Sequence, residues 1–122
     1  MNPTVFRAAS VGECMIELRH RSPTELELAY GGDTLNFAVY LTRLTRDHGG
    51  RVDYVTALGD DAYSERMLAM WQAEDVGTAL VARLPGKLPG LYTIRTDAQG
   101  ERSFTYWRSA AAAREMLKDG RA

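Results

Sequence analysis

The sequence has a single cysteine, Cys14, in 122 residues. That excludes an internal disulfide framework and any thiolate metal cluster built by this chain alone, and it leads us to expect a reducing compartment, by default the cytoplasm. Histidine is almost as scarce. His20 and His48 have no further ligand at a metal-binding spacing, so both are expected as solvated loop residues and no metal site is expected. Charge of one sign is not in excess either: 15 Lys and Arg face 16 Asp and Glu, a formal net charge of -1. No broad basic field is available for nucleic acid or an anionic membrane surface. No apolar run approaches the ~20 residues of a membrane span, and the first residues, Met1 to Arg7, carry no apolar leader. Internal repeats and low-complexity linkers are also missing. What remains is the composition of an ordinary globular domain, long enough to bury about two thirds of its unfolded surface if it folds alone.

The pattern along the chain points to an α/β fold. Val5 to Leu18 is apolar or small with few breaks and reads as one buried core strand bending at Gly12, with Cys14 inside it. Glu25 to Tyr30 alternates with period two, as a half-buried strand does. Gly31-Gly32 then breaks the strand, and Leu35, Ala38, Val39 and Thr42 follow at helical spacing. This helix is expected to run to about Arg46 and to stop at Gly49-Gly50. Val52 to Leu58 is the next strand, and an aspartate of Gly59-Asp60-Asp61 can cap a second helix whose apolar side is Met67, Leu68 and Trp71. Leu91 to Thr96 and Arg102 to Trp107 flank the turn tetrad Asp97-Ala98-Gln99-Gly100, a hairpin signal. Ser109, four alanines and Arg114 to Leu117 suggest a short final helix ended by Gly120.

Two pieces can carry chemistry. In Gly31-Gly32-Asp33-Thr34-Leu35-Asn36, glycines let a ligand approach the backbone, the helix start offers free N–H groups, and the polar side chains add donors and acceptors. The same residues also suit a plain tight turn with a capping residue. They form neither a Walker A loop nor a dinucleotide fingerprint, so nucleotide phosphate is not indicated there. In the hairpin, period-two geometry puts Arg102, Phe104, Tyr106 and Arg108 on one face, with Tyr92 across the ladder. Arginine grips carboxylates in bidentate fashion, so Tyr106 and Arg108 can recognise an acidic sugar; a solvated face with aromatic cross-strand pairs is the competing reading.

Five blocks are more telling together than singly: Val11 to Leu18, Gly31 to Asn36, Tyr54 to Asp61, Leu88 to Tyr92 and Gly100 to Arg108. In this order and spacing the chain resembles the first third of the PfkB (ribokinase-like) carbohydrate kinases, in their 2-keto-3-deoxygluconate branch. The resemblance implies the amino-terminal part of a central α/β sheet across residues 1–122, plus a small β lid near 15–30 and 90–108. It implies transfer of the ATP γ-phosphoryl group, with Mg2+, to a sugar-acid hydroxyl. Carried over by position, Gly32, Asp33, Thr34, Leu35 and Asn36 would line the sugar pocket, and Tyr92, Tyr106, Trp107 and Arg108 would close it from the lid, with Arg108 on the carboxylate. Thr34 stands where the wider family often has glycine or alanine, and Arg46 to Arg51 looks like extra sequence after the first helix.

The family's Gly-Ala-Gly-Asp block, which the resemblance makes the source of the catalytic aspartate and anion hole, does not occur in this sequence. Asp60 and Asp61 are expected as helix caps, not as a base. These 122 residues are therefore expected to recognise substrate, to bind ATP and Mg2+ weakly, and to be inactive alone. A second reading is a non-catalytic module that dimerises through the lid strands, where Phe104, Tyr106 and Trp107 can form an aromatic edge. Stacking of single-stranded nucleic acid beside Arg95, Arg102 and Arg108 is a third, disfavoured by the net charge.

Overall fold

The computed structural model of the protein describes residues 5–118. Two sheets share the chain. β1 (Phe6–Val11), β4 (Gly50–Leu58) and β5 (Val81–Arg83) form a three-stranded parallel sheet in the order β1-β4-β5. β2 (Met15–Ser22), β3 (Glu25–Gly31), β6 (Leu91–Thr96) and β7 (Arg102–Trp107) form a four-stranded mixed sheet in the order β3-β2-β6-β7. Within it the β2–β3 and β6–β7 ladders are antiparallel, while β2 and β6 run parallel. Two helices, α1 (Asp33–Thr45) and α2 (Ala62–Ala73), complete the fold.

The expected single strand from Val5 to Leu18 is two strands in different sheets. Gly12 donates to the Val55 carbonyl at 3.1 Å, and Ile16 donates to the Gly90 carbonyl at 2.9 Å. The chain changes sheets between them, so Cys14 lies in the crossing rather than in a strand. Nor is β1 a core strand. It sits at the edge and is mostly exposed, whereas β4, flanked on both sides, is buried from Val52 to Leu58. A continuous apolar run marks a strand covered on both faces, and only β4 has that cover.

α1 starts at the glycines and buries Leu35, Ala38 and Thr42, three of the four residues of the expected stripe. A short 3₁₀ turn, Arg46–His48, extends it to Gly49, whose φ of 84° is left-handed and open to glycine at little cost. Asp61 caps α2: its carboxylate accepts from the Tyr63 and Ser64 amides, each at 3.1 Å. α2 turns Met67 and Trp71 inward, and the Trp71 ring meets Tyr54 edge-on with centroids 5.1 Å apart. With Leu35, Ala38, Val52, Leu58 and Val76 these residues make the core; Cys14 and Ile16 join it from the crossing and the second sheet.

Three further expectations change. His20 lies in β2, not in a loop. The apolar side of Glu25 to Tyr30 is covered only at one end: Tyr30 packs against the core, while Leu26 and Leu28 stay about half exposed. The alanine run forms no regular helix. Ala112 donates to the Leu88 carbonyl at 2.8 Å, Ala111 pairs with Leu88, and only one 3₁₀ turn follows, Ala112–Glu115. Ala111, Ala112 and Ala113 are buried there. Tight packing of small side chains has overridden helix propensity. Gly120, the expected stop, lies outside the described residues.

Truncating Trp71→Ala is expected to cost ~3–5 kcal/mol, as for other large core aromatics, measured as the shift in a urea unfolding midpoint at constant m. At Cys14, burial and the nearby Glu13 carboxylate push the thiol up to about 12. Cys14 should therefore resist iodoacetamide at pH 8 in the folded chain and react within minutes once urea unfolds it, as mass spectrometry will show.

Candidate functional site

Where the two sheets meet, a cleft of about 420 Å³ opens, lined by Glu13, Met15, Gly31 to Thr34, Tyr92, Phe104, Tyr106 and Arg108. One wall is the β3–α1 junction. Gly32 begins α1 with extended backbone (φ 175°) and no side-chain cap. A Cβ there would stand 2.4 Å from the Glu13 carbonyl oxygen, so only glycine lets the helix start lie against the crossing segment. Unlike α2, α1 thus presents first-turn N–H groups without a side-chain partner. Thr34 is held from below: its carbonyl accepts from the Ser10 hydroxyl at 2.7 Å, and its own hydroxyl lies 2.8 Å from the buried Tyr54 hydroxyl. Its side chain is therefore more an anchor for the junction than a free donor. Asp33 is exposed at the rim.

The opposite wall is one face of the second sheet. Glu17, Tyr92 and Tyr106 occupy one row across β2, β6 and β7. Tyr92 and Tyr106 have centroids 5.9 Å apart, and Phe104 stacks on Tyr106 at 6.3 Å. The Tyr92 hydroxyl donates to Glu17 Oε1 at 2.5 Å. Burial, followed by that carboxylate, pushes the phenol well above its usual range, so Tyr92 stays a protonated donor. Just beyond β7, the Arg108 guanidinium lies 5.7 Å over the Tyr106 ring and pairs with Glu13 Oε1 at 3.0 Å. Burial raises the Glu13 carboxyl despite the opposing pull of Arg108 and Arg114.

Of the residues anticipated from the sequence, the cleft brings together Gly32, Asp33, Thr34, Tyr92, Tyr106 and Arg108. Leu35 points into the core and Asn36 is exposed on α1 outside the cleft lining, because a helix turns about 100° per residue and consecutive side chains cannot all face one way. Trp107 sits on the other face of the sheet, beside Leu91 and Ile16, for the alternation reason that places Tyr106 inward. Glu13, Met15 and Glu17 were not singled out, and Phe104 was named for the hairpin face and the aromatic edge rather than for the pocket. The signal for the two glutamates was present: acids four apart within an apolar run must find partners when that run is buried.

Among the described residues, no group of three or more His, Cys, Asp or Glu side chains gathers to hold a metal ion. His20 Nδ1 lies 3.1 Å from the Ser22 carbonyl instead. No helix among them is long and apolar enough to cross a membrane.

Comparison with known proteins agrees with this architecture. The model of the pfkB family of carbohydrate kinases matches residues 6–119. The chain is 53% identical over 115 residues to the 2-dehydro-3-deoxygluconokinase of Dickeya dadantii, covering 94% of this chain and 37% of that protein. It is 47% identical over 112 residues to the enzyme of the same name from Escherichia coli K12, covering 92% and 36%. It thus spans a little over a third of the length of these relatives. Among solved structures, 2-dehydro-3-deoxygluconokinase from Thermotoga maritima superposes with a TM-score of 0.81 at 22% identity, over 95% of this chain and 36% of that one. Fructokinase from Xylella fastidiosa with bound ATP superposes at 0.76 and 28% identity, over 88% and 32%. The fold is that of the amino-terminal part of a ribokinase-like kinase, and the chain belongs to the pfkB family of carbohydrate kinases.

Proposed function

We propose that this chain is the acid-sugar-recognising part of a kinase for 2-dehydro-3-deoxygluconate, the compound also called 2-keto-3-deoxygluconate. The observation that carries the reading is Arg108, fixed at the mouth of a polar and aromatic cleft opposite an uncapped helix start. A six-carbon sugar acid offers one carboxylate and several hydroxyls. The carboxylate suits the remaining guanidinium donors, the hydroxyls suit Asp33 and the first-turn amides of α1, and the Tyr92 and Tyr106 rings exclude water from one side. Positioning of this kind supplies part of the barrier reduction in phosphoryl transfer, by holding the accepting hydroxyl in line with the phosphoryl group it attacks. The buried thiol of Cys14 accords with a reducing, cytoplasmic setting.

For the Mg2+ that accompanies ATP in the family, the described residues offer no cluster of three or more His, Cys, Asp or Glu side chains. Asp60 accepts the Gly86 amide, Asp61 caps α2 and Glu13 is paired with Arg108. These carboxylates are committed, and no step of phosphoryl transfer is assigned to them.

Titration calorimetry of the chain with 2-dehydro-3-deoxygluconate and with fructose tests the reading. The acid should bind more tightly than the neutral sugar, and Arg108→Gln should weaken the acid by about ten- to a hundredfold, the worth of a charge-assisted hydrogen bond. Equal affinities for the two sugars, or no effect of Arg108→Gln, would overturn it.

The other face of the second sheet favours self-association through the same strands. Register places Leu18, Leu28 and Leu91 on that face with Leu26 and Trp107, and Leu26, Leu28 and Trp107 are each about half exposed. An exposed apolar sheet face of this kind suits a second copy of the chain. Light scattering should give a dimer mass that falls to the monomer in Trp107→Lys; a monomer for both proteins removes the idea.

A further inference from the structure

We propose that Glu13 is the positioning residue for Arg108: its carboxylate anchors the guanidinium at the cleft mouth, so that a ligand carboxylate meets an arginine already oriented. The ligand half of this inference rests on the acid-sugar reading of the cleft; the anchoring half does not.

The two side chains differ in their freedom. Arg108 is half exposed, immediately after β7, where a long side chain is ordinarily mobile. Glu13 is only 14% exposed and cannot follow it. Its backbone is wedged against Gly32, and its Oε2 lies beneath Gly90, where an added Cβ would come within 2.7 Å of that oxygen and 3.1 Å of the Arg108 Cβ. Oε2 is buried without a hydrogen-bond partner, so the Oε1 contact with Arg108 is the carboxylate's compensation. If Arg108 swung out to meet a ligand, it would strand a buried carboxylate without its partner. Arg108 therefore stays, and the ligand comes to it. A guanidinium has five N–H donors. Nη2 sits 3.0 Å from Glu13 Oε1, and the rest of the half-exposed group is open to a second carboxylate. The Tyr106 ring, with its centroid 5.7 Å from Cζ, attracts the cation to this side of β7, and Glu13 holds its Nη2 end.

The test is the nitrogen-15 spectrum of the arginine guanidinium groups in the 122-residue chain, without ligand. In the wild type, slow rotation about Nε–Cζ should leave the Arg108 Nη1 and Nη2 signals separate. Glu13→Met keeps the length but removes charge and acceptor; the two signals should merge, while those of Arg83, held by Glu65 and the Gly59 carbonyl, do not change. Gly90→Ala keeps the charge but presses on Oε2, and should broaden the same signals. Averaged Nη signals in the wild type, or unaltered Arg108 signals in both variants, overturn the assignment. Binding of 2-dehydro-3-deoxygluconate should weaken by about two- to tenfold in Glu13→Met, the cost of immobilising one side chain, with fructose unaffected. If the spectra change as described but the wild type does not bind the acid, the anchoring stands and the acid-sugar reading falls.

Discussion

The packing of Gly32 on the Glu13 carbonyl governs much of this structure. Residues 12–14 leave the parallel sheet at that point and enter the mixed one, and α1 starts directly above them. Because the helix start and the crossing touch backbone to backbone, the two sheets meet at a fixed separation and the cleft has a floor of main chain. Every polar group of the site is referred to this contact. Thr34 is pinned by Ser10 and Tyr54, Glu13 reaches Arg108, and Glu17 reaches Tyr92.

The cleft's electrostatics follow from unequal burial. Glu13 and Glu17 are each taken largely out of water; Arg108 pairs with the first, and Tyr92 donates to the second, which Arg19 also approaches at 3.6 Å. The donors remain partly accessible. A buried carboxylate behind a half-exposed donor gives a surface that shows hydrogen-bond donors outward while its negative charges stay hidden, which suits an anionic guest.

The features read most clearly in the sequence are those set by local rules. The 3.6-residue period from Leu35 to Thr42, the capping aspartate before α2 and the Asp97 to Gly100 turn all depend on side chains close in sequence. The reading failed where a long-range contact decided the outcome. Nothing local in Val5 to Leu18 says that its halves pair with strands as distant as Gly50–Leu58 and Leu91–Thr96. Nothing local in the alanine run announces that it is buried against the segment around Leu88. The site divides in the same way. Arg108, Tyr106 and the glycine junction were legible because hairpin alternation and strand breaking are local, whereas Glu13 acquires its partner only through tertiary structure.

The parallel pairing of β2 with β6 joins Ile16 to Leu91 and Arg19 to Ile94. Ladders closed over such long stretches of chain form late, since loop entropy must be offset before they contribute anything. During synthesis Glu13 leaves the ribosome early and waits for nearly the whole of the described chain before Arg108 arrives. Until then a carboxylate destined for burial remains hydrated, and the first half of the second sheet is a lone hairpin, too small to persist in water by itself. The cleft is consequently assembled only after β7 has been made, and a molecule that binds it draws the β2–β6 ladder closed by mass action.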